Sequence, residues 1–313
     1  MSRRHVLLSS AMLLAAASLA PASSAEPAER LDPRPRTVVM SAFPPELTAL
    51  AGRTEIERKA SVNGVEITLG RLAGQDVALV LSGISMVNAA MTTQLVLDHL
   101  DARAVVFSGI AGGVNPDLRI GDVVVPRRWG QYLEAVFARQ VGDGYRLPAY
   151  AKQTFPNFGM IFPQEVTVRG GRHPEGESRF WFDVDPGMLA AAGAIKGKVE
   201  GELRRCAAED QCLNQPPRFD VGGSGVSGMA FVDNQAFREY AYATFHADVL
   251  DMESAAVATV ATANATPFLI FRSLSDLAGG GPGENEEGTF FQLAADNSAA
   301  AVTTFLATWH PEN

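Results

Sequence analysis

Three acidic residues stand where an apolar segment gives out, which is where open α/β sheets collect their ligands. Glu46 follows the run Thr37–Ser41, Glu253 lies at the join of Val249–Met252 and an alanine-rich stretch, and Asp276 follows Phe268-Leu269-Ile270-Phe271. Carboxylates gathered at one site can give a proton to a leaving group, take one from water, or stabilise positive charge. Each also has a plainer reading. Glu46 after Pro44-Pro45 suits the first turn of a helix, favoured by the helix dipole, and so does Glu253; Asp276 suits the cap of a short turn before Leu277-Ala278-Gly279.

A second signal is Val105-Val106-Phe107-Ser108-Gly109-Ile110-Ala111-Gly112-Gly113, read as a strand ending in a glycine-rich turn that lets a ligand approach bare backbone. It lacks the third-glycine spacing and following helix of a dinucleotide fingerprint, and the Gly-Lys-Ser/Thr of a phosphate loop. It runs instead through Val114–Gly121 into Asp122-Val123-Val124-Val125. The 5 histidines are dispersed, so spacing offers no metal site and no cofactor is expected. The 2 cysteines, Cys206 and Cys212, lie in a polar segment without C-x-x-C spacing, which favours a local disulfide staple in an oxidising compartment over a catalytic thiol.

The elements that must hold these residues read as short Val/Ile/Phe runs alternating with alanine-rich stretches, the pattern of an α/β protein with a mixed sheet. Strands are predicted at Thr37–Ser41, Val65–Arg71, Asp76–Ser82, Ala104–Ser108, Asp122–Val125, Val221–Val226, Val249–Met252 and Phe268–Ser273. Helices are predicted at Pro45–Ala51, Met86–Leu100, Asn234–Thr244, Glu253–Ala263 and Phe290–Trp309. Between about 127 and 218 the pattern breaks into aromatics, prolines and glycines over a span too long for an ordinary loop. It reads as an elaboration, either covering a ligand or forming a surface excursion.

The N-terminus carries Arg3-Arg4, the apolar run Val6–Ala20 and the small residues Ser23-Ser24-Ala25, a signal peptide cleaved after Ala25. The arginine pair also fits a twin-arginine signal, and a periplasmic or secreted location follows. The apolar run is shorter than the roughly 20 residues of a spanning helix, so no membrane attachment is expected after cleavage. The remaining 26–313 is expected to form one domain. Net charge is −9, falling to about −11 without the export segment, which makes nucleic acid and anionic membranes poor partners.

An ordered set of blocks resembles the nucleoside phosphorylase and nucleosidase superfamily, and within it the 5'-methylthioadenosine/S-adenosylhomocysteine nucleosidases. These are Ser41-Ala42-Phe43-Pro44-Pro45-Glu46, Ser82-Gly83-Ile84, Ser108–Val125, Gly228-Met229-Ala230-Phe231-Val232, Leu250-Asp251-Met252-Glu253-Ser254-Ala255-Ala256 and Arg272-Ser273-Leu274-Ser275-Asp276. The resemblance implies a mixed sheet partly closed into a barrel and flanked by helices, a homodimer or larger homo-oligomer, and hydrolysis of the N-glycosidic bond of a purine nucleoside, an adenine nucleoside such as 5'-methylthioadenosine or S-adenosylhomocysteine, with release of the base. In that reaction the base leaves through an oxocarbenium-like transition state. The implied roles are protonation of purine N7 by Asp276 with Ser275 holding its carboxyl, and binding of the ribose hydroxyls by Glu253 with Met252 against the sugar. Glu46 would activate water, Phe231 would stack on the base and the Val232 backbone would read its edge. Ile110, Ala111 and Gly112 would line the pocket, with Arg272 nearby or in a structural salt bridge.

The chain departs from the family pattern in places. Ile110 stands where relatives usually carry serine, Phe43 where they carry methionine, and Pro44-Pro45 replaces acidic residues. Two alternatives stay open. Phosphorolysis would call for arginines near the first loop and the glycine-rich segment, where Ser41–Glu46 and Phe107-Ser108 stand. A non-catalytic storage or binding protein would have no need for Glu46, Glu253 and Asp276 together.

Overall fold

The computed structural model describes residues 30–281 and 283–310; the expected export segment Met1–Ala25 lies outside them. The first part of the chain runs β1 (Arg36–Ser41), α1 (Pro44–Ala51), β2 (Thr54–Val62), β3 (Val65–Leu72), β4 (Gln75–Leu81), α2 (Met86–His99), β5 (Ala102–Gly113), β6 (Val123–Val125) and β7 (Arg128–Gln131). The aromatic-rich region then gives β8 (Ala135–Phe137), β9 (Arg139–Val141), β10 (Gly144–Arg146), β11 (Ile161–Pro163), β12 (Val166–Gly170), β13 (His173–Arg179) and β14 (Trp181–Asp183). It ends with α3 (Pro186–Ala194), α4 (Lys196–Glu202), β15 (Cys206–Ala208) and β16 (Gln211–Cys212). The last part is β17 (Phe219–Val221), β18 (Gly225–Ser227), α5 (Gln235–Phe245), β19 (Val249–Asp251), α6 (Ser254–Ala263), β20 (Phe268–Asp276) and α7 (Glu287–Leu306).

The sheet is mixed. β1 runs parallel to both β4 and β5, and β20 runs parallel to β5 on its other side. Further along β5, Gly112 and Gly113 pair antiparallel with Leu250 and Val249 of β19. β20 also pairs with β6, while β6 and β7 pair with β17 and β18 across a bend, and β18 pairs with β19. All nine residues of β20 are buried, as a strand covered on both faces requires. Helices α2 and α6 pack together, and α7 lies across β20 and β5 beside α1.

Several elements differ from the sequence reading. Strand β2 was not expected, because Thr54-Glu55-Ile56-Glu57-Arg58-Lys59 is charged; it forms as an exposed edge strand paired only to β3, where charge guards against edge-to-edge association. The single strand expected over Val221–Val226 is two, because Gly222 and Gly223 take φ of 114° and 68° and break it. The glycine-rich segment is not a turn. β5 continues through Gly113, and a Cβ on Gly109 would lie 2.1 Å from Arg272 Nη1 and 2.6 Å from Glu46 Oε1. Glycine is required there for close approach to side chains. Likewise Asp276 ends β20 and does not follow it.

Part of the supposed elaboration belongs to the central sheet, since β7 and β14 join it. The rest forms small antiparallel ribbons and two helices, with Phe155, Phe180 and Phe245 packed ring against ring. Cys206 and Cys212 form a disulfide across the β15–β16 hairpin. Among the described residues no helix is long and apolar enough to cross a membrane.

Candidate active site

A cleft of about 680 Å³, its open mouth included, lies where β5, β19 and β20 end against the first turns of α1 and α7. That size suits a ligand of a few rings. Its walls hold Ala42, Phe43 and Glu46 from the β1–α1 junction, Ile110, Ala111 and Gly112 from β5, and Leu250 to Glu253 from the β19–α6 junction. Ser275 and Asp276 come from β20, Ala230, Phe231 and Val232 from the segment after β18, and Glu287 from α7. Of the residues the sequence singled out for the site, Asp276, Glu46, Glu253, Met252, Phe231, Val232, Ser275, Ile110, Ala111 and Gly112 all line one cleft, and Arg272 alone does not.

Glu46 is fixed by backbone donors. Its Oε2 accepts the N–H groups of Ala42 at 2.9 Å and Phe43 at 2.8 Å, and its Oε1 accepts Ile110 N–H at 2.8 Å. The first two are orphan donors ahead of α1, so a helix-start acid and a cleft carboxylate are here the same residue. Burial raises its pKa, opposed by Arg272 and the three N–H groups.

Beneath the cleft floor Arg272 is fully buried among three carboxylates. Its Nε is 2.7 Å from Asp251 Oδ2, its Nη2 is 3.3 Å from Glu253 Oε2, and its Nη1 is 3.9 Å from Glu46 Oε1. The guanidinium lies over the Phe107 ring at 4.5 Å and donates to Ile110 O at 3.1 Å. Three carboxylates around one cation leave excess negative charge in a low-dielectric place, which favours retained protons. Accordingly Glu253 sits above the ordinary carboxylate range, raised by burial and only partly lowered by Arg272.

The other oxygen of Glu253, Oε1, accepts Ser85 N–H at 2.8 Å. Ser85 precedes α2 with φ 84° and ψ 156°, a region that side chains rarely enter and that costs about 1–3 kcal/mol. The strained turn aims its N–H at Glu253.

Asp276 is separate from this cluster. Its Oδ1 accepts Ala278 N–H at 2.7 Å and its Oδ2 accepts Ser275 Oγ–H at 2.9 Å. Burial raises its pKa against those hydrogen bonds. The irregularity in β20 between Leu274 and Asp276 sets Asp276 opposite Gly112, where a Cβ would come within 3.2 Å of Oδ1. Phe231, 60% exposed, stands at the mouth.

Sequence reasoning missed three parts. Asp251 lay inside a quoted block without a role, yet it is the nearest carboxylate to Arg272. Ser85 gave no sign, because backbone strain is invisible in residue type. Glu287 was passed over within the polar run Glu284-Asn285-Glu286-Glu287. Conversely, none of the residues lining the cleft comes from 127–218, so within one chain that region behaves as an excursion away from the site.

The family model of the phosphorylase superfamily matches residues 36–307. A 5'-methylthioadenosine/S-adenosylhomocysteine nucleosidase of Geobacillus kaustophilus is 30% identical over 275 residues, covering 87% of this chain and 97% of the relative. The Neisseria meningitidis nucleosidase of the same name, solved with methylthio-immucillin-A, superposes with TM-score 0.65 at 24% identity over 88% of this chain and all of the other. Futalosine hydrolase of Helicobacter pylori superposes with TM-score 0.63 at 21% identity over 87% and 97%. With the matched span covering nearly all described residues and holding every wall of the cleft, the chain belongs to the phosphorylase superfamily.

Proposed function

We propose that the protein hydrolyses the N-glycosidic bond of a purine nucleoside, an adenine nucleoside by likeness to its relatives, and releases the free base. The observation that carries this is the separation of Asp276 from the Arg272 cluster. One carboxyl with a raised pKa and no cation is suited to give a proton, while Glu46 and Glu253 share a cation and suit the opposite work.

Asp276 donates its proton to purine N7 as the C1'–N9 bond breaks and the bonding electrons move into the base. Ser275 and the Ala278 N–H hold the aspartate left behind. Glu253 holds the ribose hydroxyls, and the negative cluster under the sugar stabilises the positive charge growing at C1'. Glu46, locked by three backbone donors, takes a proton from the water that attacks C1'. Phe231 closes on the base from the mouth, and Met252 lies against the sugar.

Water is favoured over phosphate because Glu46, Asp251, Glu253, Asp276 and Glu287 all line the cleft and would repel an anion. The storage alternative leaves the strained Ser85 and the buried three-carboxylate cluster without a purpose, since both cost stability. Purified protein is expected to release adenine from one or more of adenosine, 5'-methylthioadenosine and S-adenosylhomocysteine at a rate indifferent to phosphate. Formation of a sugar 1-phosphate would refute hydrolysis, and tight binding without turnover would favour the non-catalytic reading.

Export and cleavage after Ala25 remain part of this proposal, supported by Arg3-Arg4, the apolar run and the disulfide. A homo-oligomer is supported by three exposed apolar residues, Ile84 in the cleft wall and Val87 and Met91 on α2.

A further inference from the structure

Glu287 is the carboxylate in the cleft that the reaction leaves unused. It occupies the first turn of α7, half-buried, and its backbone N–H is capped by Asn285 Oδ1 at 2.8 Å. Among the described residues its carboxylate has no hydrogen-bond or ion-pair partner, whereas Glu46, Asp251, Glu253 and Asp276 are each held by two or more groups. The cleft it faces also has apolar lining, Phe43, Ile84 and Ile110 among it. A first-turn acid gains a little from the helix dipole, but any first-turn position would serve that purpose, and this one faces the cleft.

Its place follows from the groups around it. Asn285 links it to Asp276: the Asn285 Oδ1 that caps Glu287 N–H at 2.8 Å belongs to the same side chain whose Nδ2 lies 3.5 Å from Asp276 Oδ1, and burial, with the Asp276 charge second, raises the Glu287 pKa. One turn further along α7, Phe291 packs edge-on against Phe43, with centroids 5.9 Å apart. Glu287 thus stands between the Asp276 end of the cleft and the Phe43 wall. In an anti purine nucleoside the N7–C8 edge lies over the 5' side of the sugar, while the 2' and 3' hydroxyls point away from it. A base held at N7 by Asp276 and a ribose held by Glu253 would put C5' on the Asp276 side of the cleft, the side on which Glu287 stands.

We infer that Glu287 is a specificity-determining residue that selects nucleosides bearing a hydrogen-bond donor on C5', the free 5'-hydroxyl, over 5'-thioethers and 5'-phosphates. This rests on the nucleoside reading above. An unpartnered carboxylate beside a thioether stays unpaired and is further desolvated, and beside a phosphate it is repelled; a hydroxyl satisfies it. A hydrogen bond to a charged acceptor corresponds to about tenfold to a hundredfold in affinity or kcat/KM.

The test compares adenosine, 5'-methylthioadenosine and adenosine 5'-phosphate in wild type, Glu287→Leu and Glu287→Gln, by kcat/KM for adenine release and by Kd from calorimetry. Wild type is expected to prefer adenosine over the thioether by about tenfold or more. Glu287→Leu is expected to reverse that order, and Glu287→Gln to keep a reduced preference for adenosine while tolerating the phosphate better. Equal ratios in wild type and Glu287→Leu would overturn the inference and leave the hydrolase reading standing. If no nucleoside is cleaved, that reading fails, and the Kd ratios still decide the inference: a wild-type preference for adenosine lost in Glu287→Leu sustains it, an unchanged ratio ends it. Should Glu287→Leu not fold, the Glu287→Gln ratios carry the same comparison.

Discussion

Arg272 Nε lies 2.7 Å from Asp251 Oδ2, and both side chains are buried beneath the cleft. This pair anchors the one guanidinium that Glu46 and Glu253 also share, so the reacting carboxylates are tied to a group that itself does not line the cleft. Removing the arginine strands buried negative charge, an error that typically costs about 3–5 kcal/mol. Arg272→Met is therefore expected to unfold at much lower urea than wild type. Gly109→Ala should reproduce part of that loss, because its Cβ would fall 2.1 Å from Arg272 Nη1. A Gly109→Ala variant as stable as wild type would show that the cluster does not depend on this close approach.

Asp276→Asn tests the proton donor. The amide oxygen can keep the Ala278 N–H bond, so folding should survive. Its kcat is expected to drop by about 10²- to 10⁴-fold with KM little changed. In wild type, kcat should fall as pH rises through the raised pKa of Asp276, since the acid form is the donor. A substrate whose base departs without protonation should rescue Asp276→Asn far more than Glu46→Gln. Equal, mild effects from both substitutions would count against the assigned roles.

Stability should depend on pH through the same cluster. Glu46 and Glu253 bind protons more tightly folded than unfolded, because burial raises them above their ordinary value of 4.5. Their contribution is full below pH 4.5 and is lost as pH rises through the folded values. Glu57 acts oppositely. Hydrogen bonds from Arg34 and Arg36 lower it to about 2, so its contribution is lost as pH falls below 4.5. Urea midpoints from pH 3 to 8 should show a decline on the alkaline side that Glu253→Gln makes shallower. An identical slope in Glu253→Gln would exclude Glu253 as its source.

Ser85→Gly should relieve a backbone that glycine adopts freely. The variant is expected to gain up to about 1 kcal/mol of stability, the relief of strain being partly offset by greater freedom of the unfolded chain. Ribose binding should persist, because the Ser85 N–H that Glu253 uses is retained. A loss of stability would mean that the turn is not strained in solution.

The Cys206–Cys212 bridge closes a short hairpin that contributes no residue to the cleft lining. Replacing both cysteines with serine should cost at most about 2 kcal/mol and leave kcat/KM unchanged. Intact mass of exported protein should begin at Glu26 and be 2 Da short of the reduced form, the two thiol hydrogens lost in the bridge. Two free thiols or a retained Met1 segment would refute the export proposal.

The sequence by itself was sufficient for the alternation of strands and helices, and for placing Glu46, Glu253 and Asp276 at strand ends, because apolar periodicity and strand termini are written in residue type. Phe268–Phe271 could be read as a buried strand for that reason. It could not yield β2, whose charged residues suit an exposed edge, nor the break at Gly222-Gly223, since glycine signals freedom without saying how it is used. Gly109 and Gly112 looked like a turn and proved to be strand positions kept bare for Arg272, Glu46 and Asp276 to approach. That purpose appears only when β20 lies beside β5, which brings together residues more than 160 positions apart. Electrostatics followed the same division. Carboxylates were visible in the chain, but which of them share Arg272, which is raised by burial without a cation beside it and which faces the cleft without a partner depend on distances that only the folded sheet sets.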